Sequence, residues 1–146
     1  MSIWRSPVSA EELNARSEHS MLRPLGIRFT EIGEDYLCAT MPVDERTHQP
    51  YGLLHGGASV ALAETLGSTG ASMCVDSTRH LCVGQEINAN HLRSVTGGLV
   101  TGTARPVHIG GRSQVWSIEI RDEAGALVCI SRLTVAVLEL KQHPKP

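Results

Sequence analysis

The 146-residue chain is poor in aromatic residues and carries no excess of charge of either sign. Phe, Trp and Tyr together make up 3% of the residues, so Val, Leu, Ile and Ala must fill the core, and we expect oligomerisation to add burial. The formal net charge is −2 at pH 7, which provides no bulk electrostatic attraction to nucleic acid or to an anionic membrane surface. We therefore expect neither a nucleic-acid partner nor a membrane partner.

Paired cysteines and long apolar runs are also missing. The four cysteines are far apart and form no C-x-x-C pair, which argues against a zinc knuckle or a redox dithiol; they are Cys38, Cys74, Cys82 and Cys129. Scattered single cysteines are typically reduced and buried. No basic and apolar leader and no run of membrane-spanning length is present. These observations predict a reduced, cytoplasmic protein.

The chain length predicts one domain, which we place over residues 1–140. Residues 141–146 contain two prolines and no apolar periodicity, so we expect a disordered tail. Before the middle of the chain, a short helix is predicted over residues 9–18, because Ser9 is a good N-cap and Glu12 completes a capping box. A helical turn over 21–25 and strands over 26–32 and 36–43 follow.

A long helix is predicted over residues 54–75, although it contains four glycines, at positions 56, 57, 67 and 70. Each glycine costs about 1 kcal/mol relative to alanine in a helix interior, so tertiary packing must hold this helix. Four strands follow, over residues 81–93, 99–109, 113–121 and 127–140. Short glycine turns at 96–98, 110–111 and 122–125 separate them, and such turns favour antiparallel neighbours.

Together these elements predict an α+β domain, in which one curved antiparallel sheet wraps around a single long central helix. This is the hotdog arrangement. The small residues of the helix agree with it, because a helix enclosed by a sheet has little room for large side chains.

Glu64 is the one acidic residue of the predicted long helix. One helical turn away lie Val60, Ala61, Gly67 and Ser68, so no basic residue can pair with it along the helix. If the carboxylate is partly buried, loss of hydration raises its pKa, which suits a general base or a nucleophile near neutral pH. The alternative is that Glu64 faces solvent, as most helical glutamates do, and the local sequence leaves both interpretations open.

The helix begins with His55, Gly56 and Gly57. Amide N–H groups in a first turn have no acceptor within the helix, and the helix dipole adds partial positive charge there. Glycine lets a carbonyl approach these donors, as the stabilisation of an oxyanion on a thioester or ester requires. The alternative is a plain loop-to-helix turn, with His55 as a cap or a core residue. Gln49, just upstream, can both donate and accept and could orient a carbonyl or a water.

Ser68 lies one turn beyond Glu64 and could contact a substrate or the helix backbone four residues earlier. The chain has no G-x-S-x-G elbow and no Cys/His motif, so an acyl-enzyme on serine or cysteine is not expected. The histidines at 48, 55, 80, 91 and 108 lack the i, i+4 spacing of a helical metal pair, and we expect no metal site.

Residues 41–64, MPVDERTHQPYGLLHGGASVALAE, resemble the signature of hotdog-fold acyl-CoA thioesterases. The resemblance continues through VGQEINANHLRS, RPVHIGGRSQVWSIEIRDEAG and SRLTVAVL, and so covers nearly the whole chain. HGGAS followed by AE is far more specific than an isolated glycine motif. The resemblance implies the hotdog fold, thioester hydrolysis, coenzyme A as part of the substrate, and no separate cofactor.

The resemblance also implies roles for individual residues. Glu64 matches the catalytic carboxylate, and the Gly56 N–H matches the donor that polarises the thioester carbonyl. Gln49 and His55 match residues that position the carbonyl and the attacking water, and Ser68 matches a polar residue that assists the acid. In this family the site lies between two subunits, so the turn of one chain would face the acid of its partner.

His91, Arg93 and Arg112 match positions that hold the nucleotide and phosphates of coenzyme A in relatives. The planar fork of arginine suits phosphate oxygens, although all three are also ordinary surface residues. The resemblance further implies a homodimer as the active unit and a homotetramer as the assembly.

We therefore expect hydrolysis of aromatic or medium-chain acyl thioesters, carried by coenzyme A or by acyl carrier protein. Two other function classes are the alternatives. Hotdog folds also host hydratases and dehydratases, but those use a catalytic histidine paired with an acid in a different motif. A non-catalytic acyl-CoA-binding module is the third class, and an intact Glu64 argues against it.

Overall fold

The computed structural model describes residues 1–141, and residues 142–146 of the expected tail lie outside the described residues. One six-stranded antiparallel sheet packs against one long helix. The elements in chain order are α1 (Ala10–Arg16), α2 (Leu22–Leu25), β1 (Arg28–Ile32), β2 (Leu37–Pro42), α3 (Gly56–Met73), β3 (His80–His91), β4 (Leu99–Ile109), β5 (Ser113–Arg121) and β6 (Leu127–Glu139). This is the predicted hotdog arrangement, and the bounds of β4 and β5 agree with the prediction.

The two short helices precede the sheet and follow their local signals. The Ser9 hydroxyl accepts the Glu12 N–H at 3.1 Å, and the Glu12 carboxylate accepts the Ser9 N–H at 2.8 Å. The predicted capping box is therefore confirmed. Helix α2 ends at Gly26, whose φ of 70° is left-handed and favours glycine.

The strand order is β1-β2-β4-β5-β6-β3, and every neighbouring pair is antiparallel. The glycine turns after β4 and after β5 make the predicted hairpins. The same expectation is wrong for the turn at 96–98, because β3 and β4 are separated by β5 and β6. Three strand spacings are about 14 Å, a distance that the seven-residue segment 92–98 can span when it is extended, since each residue covers up to about 3.5 Å.

Close packing between α3 and the sheet forms the core. A Cβ at Gly67 would lie 2.6 Å from Leu133 Cδ2, and a Cβ at Gly70 would lie 2.7 Å from the Trp116 ring. Both distances are too short for a real side chain, so the glycines are what allow Leu133 and Trp116 to approach the helix. The interpretation that packing, rather than propensity, holds this helix is confirmed.

A buried amide joins the C-terminal end of α3 to the sheet. Gln114 is fully buried, donates to the Ala71 carbonyl at 3.2 Å and accepts the indole N–H of Trp116 at 2.9 Å. Trp4 stacks on Trp116 with ring centroids 6.2 Å apart. The N-terminal segment therefore covers this end of the helix.

All four cysteines are free thiols, and Cys38, Cys74 and Cys129 are buried, as predicted. Burial raises the pKa of the Cys74 thiol to about 11, so this thiol is uncharged at neutral pH. Among residues 1–141, no helix is both long and apolar enough to cross a membrane.

Candidate active site

Thr47 holds the loop that leads into α3. It is 2% exposed, its hydroxyl donates to the Pro42 carbonyl at 2.6 Å, and its own carbonyl accepts the His55 N–H at 2.8 Å. The Leu54 N–H donates to the Val95 carbonyl at 2.8 Å. These bonds attach the start of the helix to the loop before it at Thr47 and to the distant segment at Val95.

His55 is the N-cap of α3, and its Nδ1 accepts the Gly57 N–H at 2.8 Å. An imidazole nitrogen that accepts carries no proton, so the neutral ring is protonated at Nε2 and can donate from its exposed side. In the described part of the chain, no acceptor contacts the Gly56 N–H. This N–H stands at the positive end of an 18-residue helix, where a partial negative charge is stabilised.

Gln49 lies beside this helix start. Its backbone N–H donates to the Leu53 carbonyl at 2.8 Å, and its side-chain oxygen accepts the Tyr51 N–H. The side-chain NH₂ group remains available as a donor. Gln49 and Gly56 line one open cleft of about 350 Å³; the other lining residues are Leu53, Leu54, Ser59, His91, Leu92, Arg93, Ser94 and Val128.

The fold thus brings four of the predicted site residues to one cleft: Gln49, Gly56, His91 and Arg93. A Cβ at Gly56 would lie 2.8 Å from His91 Nε2, so the imidazole rests against the first residue of the helix. His91 ends β3 and is exposed, as is Arg93. An exposed imidazole and guanidinium at the mouth of the cleft can contact an anionic ligand.

Glu64 lies half-buried in the middle of α3. Burial raises the pKa of its carboxyl group, and a hydrogen bond from the Ser68 hydroxyl opposes this effect by favouring the charged form. No salt bridge to Glu64 is formed within residues 1–141. Of the two open interpretations, partial burial without a basic partner is therefore the observed one.

Glu64 and Gly56 of one chain cannot act on the same carbonyl group. They are eight residues apart on one helix, and a rise of 1.5 Å per residue separates them by about 12 Å along the axis. A reacting carboxylate and an oxyanion donor must both lie about 3 Å from the reacting group. The two predicted catalytic groups of one chain therefore lie apart, as two predicted half-sites.

Arg112 lies in the turn between β4 and β5, away from the cleft that holds His91 and Arg93. The neighbouring Gly110 and Gly111 lie beside Cys74, which follows the C-terminal end of α3. The structure therefore places Arg112 at the opposite end of the helix from the other two predicted ligand-binding residues of the same chain.

Sequence reasoning missed two residues of this region, Thr47 and Gly84. The partners of Thr47 are backbone atoms, which leave no trace in the residue pattern. Gly84 lies on β3 directly against the Glu64 carboxylate, where a Cβ would overlap Oε1. A signal for Gly84 did exist, because an isolated glycine within a strand often marks a bulge or a close approach.

Comparison with known proteins agrees with this geometry. The family model of the thioesterase superfamily matches residues 51–129. A 1,4-dihydroxy-2-naphthoyl-CoA hydrolase of Escherichia coli is 55% identical over 136 residues, which cover 93% of this chain and 99% of that protein. A proofreading thioesterase of Cronobacter sakazakii is 52% identical over 136 residues, covering 93% and 98%.

Solved structures show the same similarity. A crystallised thioesterase variant from Pseudomonas aeruginosa has a TM-score of 0.94 at 50% identity, covering 95% of this chain and 100% of that chain. A thioesterase from Haemophilus influenzae has a TM-score of 0.93 at 49% identity, covering 97% and 98%. These structures match 95% and 97% of this chain, and the range of the family model contains Gly56, Glu64, His91 and Arg93.

The Ser68 hydroxyl provides a test of the electrostatics at Glu64. In Ser68→Ala the donor is lost and burial remains, so we expect the pKa of Glu64 to rise further. Carbon-13 NMR titration of the Glu64 carboxyl carbon measures this pKa, and the signal is identified by its loss in Glu64→Gln. Ser72→Ala, one turn further along the helix, should leave the pKa of Glu64 in place. An unchanged or lowered pKa in Ser68→Ala would contradict the hydrogen bond.

Proposed function

The chain belongs to the thioesterase superfamily and is a thioester hydrolase, and we propose that it cleaves aromatic or medium-chain acyl-CoA thioesters to a free acid and coenzyme A. The observation that carries the proposal is a half-buried carboxylate without a basic partner, on a helix whose first N–H has no acceptor among the described residues. The name of the E. coli relative, a naphthoyl-CoA hydrolase, supports an aromatic acyl group.

In the proposed reaction Glu64 attacks the thioester carbonyl, or removes a proton from the water that does so. The raised pKa suits this role, because it makes the ionised carboxylate more basic. The Gly56 N–H and the helix dipole stabilise the negative charge that develops on the carbonyl oxygen. The free NH₂ of Gln49 and the Nε2–H of His55 orient the carbonyl and the water. Water is the only co-reactant, and no cofactor or metal is required.

The proposed active unit is a homodimer, because the two half-sites of one chain are too far apart. Strand β3 is 12 residues long and lies at the edge of the sheet, where its outer backbone groups have no strand partner within residues 1–141. Such an edge is a ready template for pairing with another chain. A twofold axis through the middle of β3 would pair two edges antiparallel and run the two helices in opposite directions. Gly56 of one subunit would then approach the partner's Glu64.

The proposed higher assembly is a homotetramer. Large apolar side chains are exposed on the outer face of the sheet near this edge, including Leu81 at 50%, Val83 at 38% and Leu138 at 47%. Contact between two dimers through this face would remove that apolar surface from water. The low aromatic content of the chain is consistent with burial that is completed by assembly.

Coenzyme A is proposed to lie across the mouth of the cleft. His91 and Arg93 line it and present donors to phosphate oxygens. Arg112 is at the far end of α3, so it would reach this ligand only from the partner subunit, in which the helix runs the other way. A thioester on acyl carrier protein presents the same reacting carbonyl, and the substrate panel below separates the two carriers.

Glu64 is tested by release of free thiol from a panel of acyl-CoA and acyl-carrier-protein thioesters. Glu64→Gln and Glu64→Ala should lower kcat by about 100-fold to 10,000-fold, the usual contribution of an acid-base residue. Glu119→Gln, an exposed acid on β5, serves as the control and should retain wild-type rates. A wild-type protein that releases no thiol from any aryl or aliphatic thioester would contradict the proposed function, and variants with wild-type rates would contradict the role of Glu64.

The shared site is tested by co-expressing Glu64→Gln and His55→Ala, each of which we expect to be nearly inactive alone. A heterodimer would carry one site in which both residues are intact. Because random pairing makes about half of the dimers heterodimers with one intact site each, about a quarter of the wild-type activity should return. Mixing Glu64→Gln with Glu64→Ala repairs no site and is the control. Failure of the first mixture to regain activity, with heterodimers verified by mass spectrometry, would contradict the two-subunit site.

Arg93 is tested by comparing a CoA thioester with a short acyl thioester that lacks the nucleotide. Arg93→Ala should raise KM for the CoA thioester about tenfold, since a charge-assisted hydrogen bond contributes about 1.5 kcal/mol, and should leave the short substrate unaffected. Arg28→Ala on β1, away from the cleft, is the matched control. Equal effects of Arg93→Ala on both substrates would rule out contact with the nucleotide part.

A further inference from the structure

Strand β3 is irregular beside Glu64. Gly84 pairs with Val135 of β6 and Glu86 pairs with Thr134, so Gln85 is an extra residue without a pairing residue on β6. The two strands are regular on either side of this point. This is a β-bulge, a feature that reverses which residues of a strand face the core and that often lies next to a functional site.

The bulge changes which side chains β3 turns toward the helix. Cys82 packs against the core before it, whereas Ile87 and Ala89 do so after it. Successive side chains of a strand alternate between its faces, so an even and an odd set can both point inward only if one residue is inserted between them. If Gln85 were an ordinary paired residue of the ladder, the polar side chains Asn88 and Asn90 would face the core instead.

The inward-facing residues before and after the bulge contact different parts of α3. Gly84 shares the inward face with Cys82, and the Glu64 carboxylate occupies the space that a side chain at position 84 would fill. An added Cβ would overlap Glu64 Oε1, and would lie 3.3 Å from Glu64 Cδ and 3.7 Å from Leu133 Cδ1. His91, two residues after Ala89, shares the later inward set and rests against Gly56.

We infer that Gly84 and the bulge at Gln85 position the Glu64 carboxylate, an inference that rests on the proposed function. Because Gly84 has no side chain, the Glu64 carboxylate fits beside β3. The extra residue Gln85 then lets the following part of the strand direct apolar side chains toward α3. Any larger residue at 84 displaces the carboxylate from β3. Gly84 is thus a positioning residue that acts through Glu64.

Gly84→Ala tests the inference. Displacement of a reacting group by about 1 Å costs about 100-fold in rate, so kcat should fall by about that factor while KM stays within about threefold. The matched control is Gly102→Ala on β4, where the added Cβ would meet Leu66 Cδ1 of the same helix rather than the acid. That variant should lose thermal stability but keep kcat, per folded molecule, within about threefold of wild type.

A shorter acid provides a rescue that a purely structural role would not. In the Glu64→Asp background the carboxylate is withdrawn by one methylene, so we expect Gly84→Ala to lower kcat there by less than about tenfold, compared with about 100-fold in the wild-type background. Equal losses of kcat in the two backgrounds, or equal losses in Gly84→Ala and Gly102→Ala, would overturn the positioning role.

The NMR signal of the Glu64 carboxyl carbon separates this inference from the proposed function, because it requires no turnover. The signal should shift in Gly84→Ala and remain in place in Gly102→Ala. If wild type cleaves no thioester but the signal shifts in this way, the proposed function fails and the contact stands. If wild type is active and the signal does not shift, the positioning role of Gly84 fails alone.

Discussion

The close packing of α3 into the curved sheet is the constraint on which the other features depend. The helix is built from small residues, and Gly67 and Gly70 leave the space into which Leu133 and Trp116 project. Such a helix has weak intrinsic stability, because glycine in a helix interior costs about 1 kcal/mol relative to alanine. It is held by the sheet, and this packing places Glu64 against Gly84 of β3.

A carboxylate in this position is unfavourable for folding. Burial raises its pKa, and no basic partner offsets this within residues 1–141, which means that the ionised form is less stable in the folded chain than in water. The surroundings reduce this cost only partly, through the Ser68 hydroxyl. Strand β3 makes room for the acid with a glycine and an interrupted ladder, at a further loss of regular pairing. Local disadvantages of this kind are typical of functional sites, where activity rather than stability explains the residues.

The distance between Gly56 and Glu64 along α3 explains why the proposed site needs two chains. The N–H donor of Gly56 is at the first residue of α3, and Glu64 is about 12 Å further along the axis, more than two helical turns away. No side-chain rotation brings them together. The same length places Arg112 at one end of the helix and His91 with Arg93 at the other. Two antiparallel copies of one helix would resolve both separations at once.

Local patterns in the sequence were sufficient to predict the capping box at Ser9, the bounds of β4 and β5, the long helix, and Glu64 as its lone acid, because each depends on residues close together along the chain. The resemblance of residues 41–64 to a known signature supplied the expected roles at that site. The tertiary structure alone decided that β3 lies beside β6, that Thr47 ties the loop to Pro42 and His55, and that Gly84 faces Glu64. The strand pairing and the Gly84 contact join residues far apart in sequence, and the bonds of Thr47 go to backbone atoms, so no local residue pattern records any of them.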